Sequence, residues 1–253
     1  MTVLRVTTWN VLHHVHALNW KEKAVERFSD ERARVAGISA LVARWLADEG
    51  SVVCLQEVSG DQLASLREAA RGMHVSEHRY PRLPRLRVSA EAQLDDPTEH
   101  LVTITSLPAK TLYAKTFESD PGKGFLAVAI EPARSARSGA VLVINTHVSA
   151  KERREAELAL LGATAREATG GAILTGDFNA PVDVVRRGLG LGDGLVASDL
   201  TGERPTRVAT ETHAGKTIDH VLTLGGAISA AAVLDGEGLS DHDPVAASVT
   251  FGA

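Results

Sequence analysis

Ile173-Leu174-Thr175-Gly176-Asp177-Phe178-Asn179 is the stretch on which the fold turns. An apolar, partly β-branched run breaks abruptly into glycine, aspartate and asparagine. Taken alone, Gly-Asp-Phe-Asn also reads as a simple turn, because all three polar or small residues favour turns. The same ending recurs along the chain. Val3 to Trp9 ends at Asn10, Val52-Val53-Cys54-Leu55 at Gln56-Glu57, and Val141-Leu142-Val143-Ile144 at Asn145-Thr146-His147. Apolar runs of this length between breakers read as strands buried on both faces.

Helical patterns lie between several of these strands. Ser29 is placed to cap a helix with Asp30 and Glu31 in its first turn. Val35, Ile38, Val42, Trp45 and Leu46 form its apolar stripe, and Gly50 is placed to stop it. Ser59 with Gln62, and Ser149 with Glu152, make capping boxes ahead of two further helices. Helices alternating with buried strands indicate an α/β layered architecture. From Leu101 to Ile130 the strands follow one another, with Thr111 to Phe117 and Phe125 to Ile130 as hairpin partners. Thr217 to Phe251 also reads as strands. The sheet therefore has antiparallel portions. Stretches near Pro121 and Ser135 read as loops, and with no linker or repeat the expectation is a single domain over residues 1–253.

Composition narrows the class. With 253 residues, at about 150 per domain, the chain is long enough for a core without staples. Its 44% hydrophobic content excludes a disordered or collagen-like chain. One cysteine, Cys54, excludes a disulfide framework and any cysteine-built zinc site. The net charge of -5 sets up no global field for nucleic acid, although a local basic groove fits inside an acidic total. No run approaches about 18 uninterrupted apolar residues, and no apolar leader opens the chain. The expectation is a cytoplasmic protein with no membrane partner.

Catalytic groups in open α/β sheets sit past the carboxyl ends of strands. That gathers Asn10, Glu57, Asn145, His147, Asp177 and Asn179, joined by Asp219 from Ile218-Asp219-His220-Val221 and by Asp241 and His242 from Ser240-Asp241-His242-Asp243-Pro244. Carboxylates, amides and imidazoles without a thiolate suit a hard cation such as Mg²⁺ or Mn²⁺. A hard cation beside histidines suits phosphoryl chemistry.

These segments, in this order, resemble the endonuclease/exonuclease/phosphatase superfamily, whose fold is called DNase I-like. The motifs run from Thr8-Trp9-Asn10 to Ser240-Asp241-His242-Asp243-Pro244-Val245, so the resemblance covers essentially the whole chain. It implies a four-layer α/β sandwich with two mixed sheets face to face and helices outside. It places Asn10, Glu57 and Asp241 at the principal Mg²⁺ or Mn²⁺ ion, with Asp177 assisting a second metal. Asp177 and Asn179 match the pair orienting the nucleophilic water and the phosphate. His147 and His242 match the histidines that contact phosphate, and Asn145 stands with them and Asn179 against the substrate. Asp219 matches the acid that fixes the His242 tautomer, and by analogy Glu99 does the same for His147. The implied reaction is in-line attack of water on phosphorus without a covalent intermediate, with Asp177 or a histidine as base.

Fold does not name the substrate. Aromatic residues at 4% leave few side chains to stack bases. That favours a small soluble phosphate compound, such as a nucleotide or sugar phosphate, over DNA or RNA cleavage; an inactive scaffold is the third reading. Two further features stand near the expected pocket. His13, His14 and His16 follow Asn10 and read as solvated loop residues or as phosphate ligands. Arg79, Arg82, Arg85 and Arg87 read as a solvated loop or as a clamp on a polyanion.

Overall fold

Alternation within the strands sets the layers. In β2 (Ser51–Ser59), Val52 and Cys54 enter one apolar cluster while Val53 and Leu55 enter another, as side chains on opposite faces of a strand must. In β7 (Val141–His147), Val141 and Val143 separate from Leu142 and Ile144 in the same way. Both strands are therefore covered on two sides.

The computed structural model describes residues 2–131, 139–210 and 214–252. One sheet contains β1 (Thr2–Asn10), β2, β3 (His74–Arg79), β4 (Glu99–Thr105), β11 (Gly226–Val233) and β12 (Val245–Phe251), in the order β11-β12-β1-β2-β4-β3. The other contains β5 (Ala109–Phe117), β6 (Asp120–Ile130), β7, β8 (Ala172–Asp177), β9 (Leu195–Ala197) and β10 (Asp219–Leu224), in the order β5-β6-β7-β8-β10-β9. Among the described residues only β1 with β2 and β7 with β8 pair in parallel, so both sheets are mixed. Leu4, Val6 and Val52 from the first sheet meet Leu126, Val128 and Ile173 from the second in the central core.

Two short helices, α1 (His14–Trp20) and α2 (Lys23–Arg27), follow β1, and longer helices cover the outer faces. α3 (Glu31–Leu46) and α4 (Gly60–Ala69) pack Ile38, Val42, Leu63 and Leu66 against Trp9, Leu55 and Val102. α5 (Arg154–Arg166) and α6 (Val182–Leu189) pack Leu158, Leu161 and Leu189 against Phe125, Ile144 and Leu174. The four-layer sandwich implied by the sequence is the observed architecture. No helix among the described residues is long and apolar enough to cross a membrane.

Several local expectations shift. Asp30, not Ser29, caps α3, because its extended backbone lets Oδ1 accept from Arg32 N at 2.9 Å. Ser59 caps α4 as expected, but Gln62 turns its amide to Ser39 and Val35 instead of back to the cap. A short 3₁₀ turn precedes α5, so Glu157 rather than Glu152 returns to Ser149, accepting from its N at 2.7 Å and Oγ at 2.8 Å. The loop near Pro121 is strand: the turn is Glu118-Ser119 and β6 begins at Asp120. The β5–β6 register shifts there, so the proline is not required to donate to the ladder. The Ser135 stretch lies outside the described residues.

Candidate active site

Strand register builds one side of the site. In the second sheet His147 on β7 lies opposite Asp177 on β8, and Asp177 lies opposite Asp219 on β10. Three adjacent strands thus deliver three polar side chains in one row. Gly176 makes the row possible: at φ +142° a Cβ there would stand 1.9 Å from the Thr146 carbonyl oxygen. Only glycine fits this position. Past the strand end, Asn179 adopts φ 50° and its N–H donates to Asp177 Oδ1 at 2.8 Å.

The first sheet builds the other side with a bulge. The β2–β4 register shifts between Leu55 and Val58, and Glu57 within the shift has φ 57°. A left-handed glutamate is uncommon and costs about 1–2 kcal/mol. Such a bulge re-aims a side chain. Asn10 Nδ2 then donates to Glu57 Oε1 at 3.2 Å and to Asp177 Oδ2 at 3.1 Å, joining the two sheets' carboxylates.

The loop before β12 closes the site. Trp9 Nε1 donates to the His242 carbonyl at 2.8 Å, and Ser240 Oγ donates to the Asn10 carbonyl at 2.7 Å. His242 Nδ1 donates to Asp219 Oδ2 at 2.8 Å, and Thr206 Oγ1 donates to the same oxygen at 2.6 Å. This fixes the imidazole and leaves Nε2 4.0 Å from Asp177 Oδ2. His147 Nε2 lies 3.3 Å from the same Asp177 oxygen and 3.8 Å from Glu57 Oε1. Asp241 pairs with Arg207 at 3.1 Å.

Electrostatics follow from this crowding. Burial would raise the Asp177 carboxyl, but the His147 hydrogen bond and the charges of His147, His242 and Lys123 hold it well below the usual range. Glu57 is likewise held low against its burial by His16, His147 and Lys123. Burial works against a charged His242, yet Asp219 and Asp241 push it up to about 10. The imidazole therefore carries a proton at neutral pH.

Three placements correct the expectations. Asn145 is fully buried, and its amide bridges the sheets by accepting from Gln56 at 2.8 Å and donating to the Val102 and Leu55 carbonyls. It is not among the residues that line the cleft. Glu99 meets His16, at 3.3 Å, and not His147, because the helix that follows Asn10 carries the His16 ring to it. That segment is no loop: His13 caps α1 (His14–Trp20), and His13 and His14 are buried.

Some site residues carry little signal in the sequence. Lys123, next to β7's partner residue Gly124, reaches within 3.0 Å of His147 Nδ1. Arg207 links Asp241 to Glu22 from a segment without strand or helix. The only cue to Lys123 was its place between two glycines. Above the floor opens a cleft of about 1520 Å³ whose wall includes Arg82, Arg85 and Arg87. Asn19 of α1 holds that wall, donating to the Arg85 carbonyl and accepting from Arg87 N at 2.7 Å.

Glu57, Asp177 and Asp241 present carboxylate oxygens around imidazoles, with no thiolate, while Asn10, expected as a metal ligand, turns its Nδ2 to two of them and gives its Oδ1 to Leu12 N at 3.0 Å. This donor set fits a hard divalent cation. Such a floor on a four-layer sandwich defines a phosphoesterase of the metal-dependent, DNase I-like class. A model of the Endonuclease/Exonuclease/phosphatase family matches residues 7–242, and the chain belongs to that family. Solved structures agree in fold. An endonuclease/exonuclease/phosphatase from Bacteroides vulgatus is 16% identical over 100% of both chains, with a TM-score of 0.68. One from Beutenbergia cavernae is 22% identical over 100% of this chain and 72% of its own, with a TM-score of 0.67. TDP2 from D. rerio, in complex with single strand DNA product, is 16% identical over 99% of this chain and 100% of its own, with a TM-score of 0.68. The search of curated proteins found no match.

Proposed function

We propose that the chain hydrolyses phosphodiesters of an extended polyanion, a nucleic-acid strand, in place of the small phosphate compound that its composition suggested. The observation that carries this reading is the cleft. At about 1520 Å³ it exceeds the roughly 300–1,000 Å³ of small-ligand pockets. Its wall carries Arg82, Arg85 and Arg87, and its rim carries Trp20, 67% exposed. Guanidinium groups suit successive phosphates, and an exposed indole suits a base face. The low aromatic content is thus offset by where this tryptophan stands. The TDP2 structure with single strand DNA product lends the reading further support.

Glu57 and Asp241 are the residues we assign to Mg²⁺ or Mn²⁺, with Asp177 beside them; Asn10 holds the Glu57 and Asp177 carboxylates through its Nδ2. A bound divalent ion would neutralise phosphate oxygens and lower the pKa of water. Asp177, held by Asn10 and Asn179, orients the attacking water and accepts its proton as the new P–O bond forms; the P–O bond to the leaving strand oxygen breaks, and that oxygen takes a proton from solvent. His242, charged and fixed by Asp219, and His147 donate hydrogen bonds to the non-bridging oxygens. Asp219 is a positioning residue, since its carboxylate accepts from His242 and Thr206 and so fixes the imidazole.

The test is direct. With Mg²⁺ or Mn²⁺, the protein is given single-stranded and duplex DNA, RNA, nucleotides and sugar phosphates, with Asp177→Asn in parallel. Strand cleavage by wild type alone is expected. Phosphate release from the small compounds with every strand intact would reverse the substrate assignment.

A further inference from the structure

Glu57 has two carboxylate oxygens on two sides. Oε1 faces Asn10 at 3.2 Å and His147 at 3.8 Å, on the Asp177 side of the floor. Oε2 accepts from the backbone N–H of His13 at 3.2 Å, on the α1 side. On that second side His16, Glu57 and Glu99 offer an imidazole nitrogen and two carboxylate oxygens, all within 4.8 Å of one another.

Two independent observations mark this cluster as incomplete. Glu99 is fully buried, and its Oε1 has no hydrogen-bond partner while Oε2 meets His16 Nε2. An ionised carboxylate with one bare oxygen is costly away from water. His13 is 1% exposed, and its Nε2 also has no partner. Its Nδ1 accepts from Val15 N at 3.2 Å, so Nε2 carries the hydrogen. The ring lies 5.4 Å from that of His16.

We propose that His16, Glu57 and Glu99 form a second divalent-cation site, bridged to the catalytic floor through Glu57. One imidazole with two carboxylates suits Mn²⁺ or Zn²⁺ better than Mg²⁺, which prefers an all-oxygen shell. The His13 Nε2–H is the outer donor, available to a water on the ion or to a ligand oxygen. Glu57 is the one residue common to this site and the catalytic reading, on which the bridging geometry rests.

Mn²⁺ alone is the probe, added to the full chain and followed by equilibrium dialysis and electron paramagnetic resonance. Wild type is expected to take up two ions whose spectra couple. His16→Gln and Glu99→Gln should each retain one uncoupled ion, with affinity for the other weakened at least about 10-fold. Asp177→Asn should keep the ion at His16. His16 is partly exposed on α1, so His16→Gln decides the matter if Glu99→Gln melts early. A single wild-type ion that survives both substitutions but is lost in Asp177→Asn overturns the second site and leaves the catalytic reading standing. A single ion lost in His16→Gln and kept in Asp177→Asn supports the second site and defeats the catalytic reading. No bound ion overturns both.

Discussion

The two sides of the cleft floor are built by different means. The His147–Asp177–Asp219 row stands on three hydrogen-bonded strands in register, and each member meets a defined partner. The Glu57 side depends on a left-handed bulge and on α1, which is held from behind by a buried charge cluster. There Arg34, 3% exposed, donates to the Val11, Leu12 and Leu239 carbonyls, each at 2.8 Å, and pairs with Glu31. Val11 and Leu12 follow Asn10, and Leu239 precedes the Ser240-Asp241-His242 loop. One guanidinium therefore ties two loops of the site together. A sheet carries its side chains at the cost of little local strain, while the bulged side needs support from outside the site.

Substituting each side should separate chemistry from stability. Asp177→Asn is expected to lower turnover by about 10³-fold or more and to leave the thermal melt close to wild type, because the strand ladder remains. A large drop in melting temperature would show that the row is not self-supporting.

Arg34→Met attacks the support of the other side. It leaves the Glu31 charge buried, with His14 at 3.0 Å as its remaining partner, and should cost about 3–5 kcal/mol in denaturant unfolding. Arg34→Lys should recover only part of that, since lysine cannot reach three carbonyls and a carboxylate. The cluster also has a pH signature. Burial would raise the Glu31 carboxyl, but hydrogen bonds from His14 and Arg34 outweigh it and hold it below its ordinary 4.5. A depressed folded-state pKa gives stability that is present above the unfolded value and lost as pH falls through the folded one. The advantage of wild type over Glu31→Gln should therefore be full at neutral pH and shrink below about pH 4.5, as unfolding curves at stepped pH would show.

The bulge itself predicts a smaller effect. Glu57→Gly and Glu57→Ala both remove the carboxylate, but glycine tolerates φ 57° and alanine does not. The glycine variant should be more stable by about 1 kcal/mol, with both inactive. Equal stabilities would mean that the left-handed backbone relaxes when its side chain is cut. Smallest of all should be the cleft wall. Arg85→Ala with Arg87→Ala should raise KM for a strand substrate several-fold, flatten its salt dependence and leave kcat near wild type.

Much of the Asp177 side was legible in the chain. A β-branched run meeting Gly-Asp reports both a buried strand and its end, and the need for Gly176 is local to one close approach. The positions of Asn10 and His147 followed from the same logic of strand ends, whereas Asp219, which opens β10, and His242, in the loop before β12, were read from the family's motifs. Other features were not legible. Nothing in Gln56-Glu57-Val58 announces a left-handed glutamate, because the bulge arises from pairing with β4, some forty residues away. His13, His14 and His16 read as a solvated loop because no apolar stripe accompanies them, and the groups that meet them, Glu57 at His13, Glu31 at His14 and Glu99 at His16, come from distant segments. Asn145 looked like a substrate ligand by its place at a strand end, yet its inward parity turns it to Gln56 across the sandwich.

The sequence by itself determined the class: a cysteine-poor, mildly acidic α/β chain of 253 residues whose strands end in oxygen and imidazole donors. Those properties depend on residue type and on periods of two or a few residues, which a linear reading sees. Tertiary structure alone decided which donors share a floor, that Glu99 meets His16, and that an arginine wall and Trp20 border the cleft. These depend on contacts between segments tens to hundreds of residues apart, whose distances only the packing of the two sheets sets.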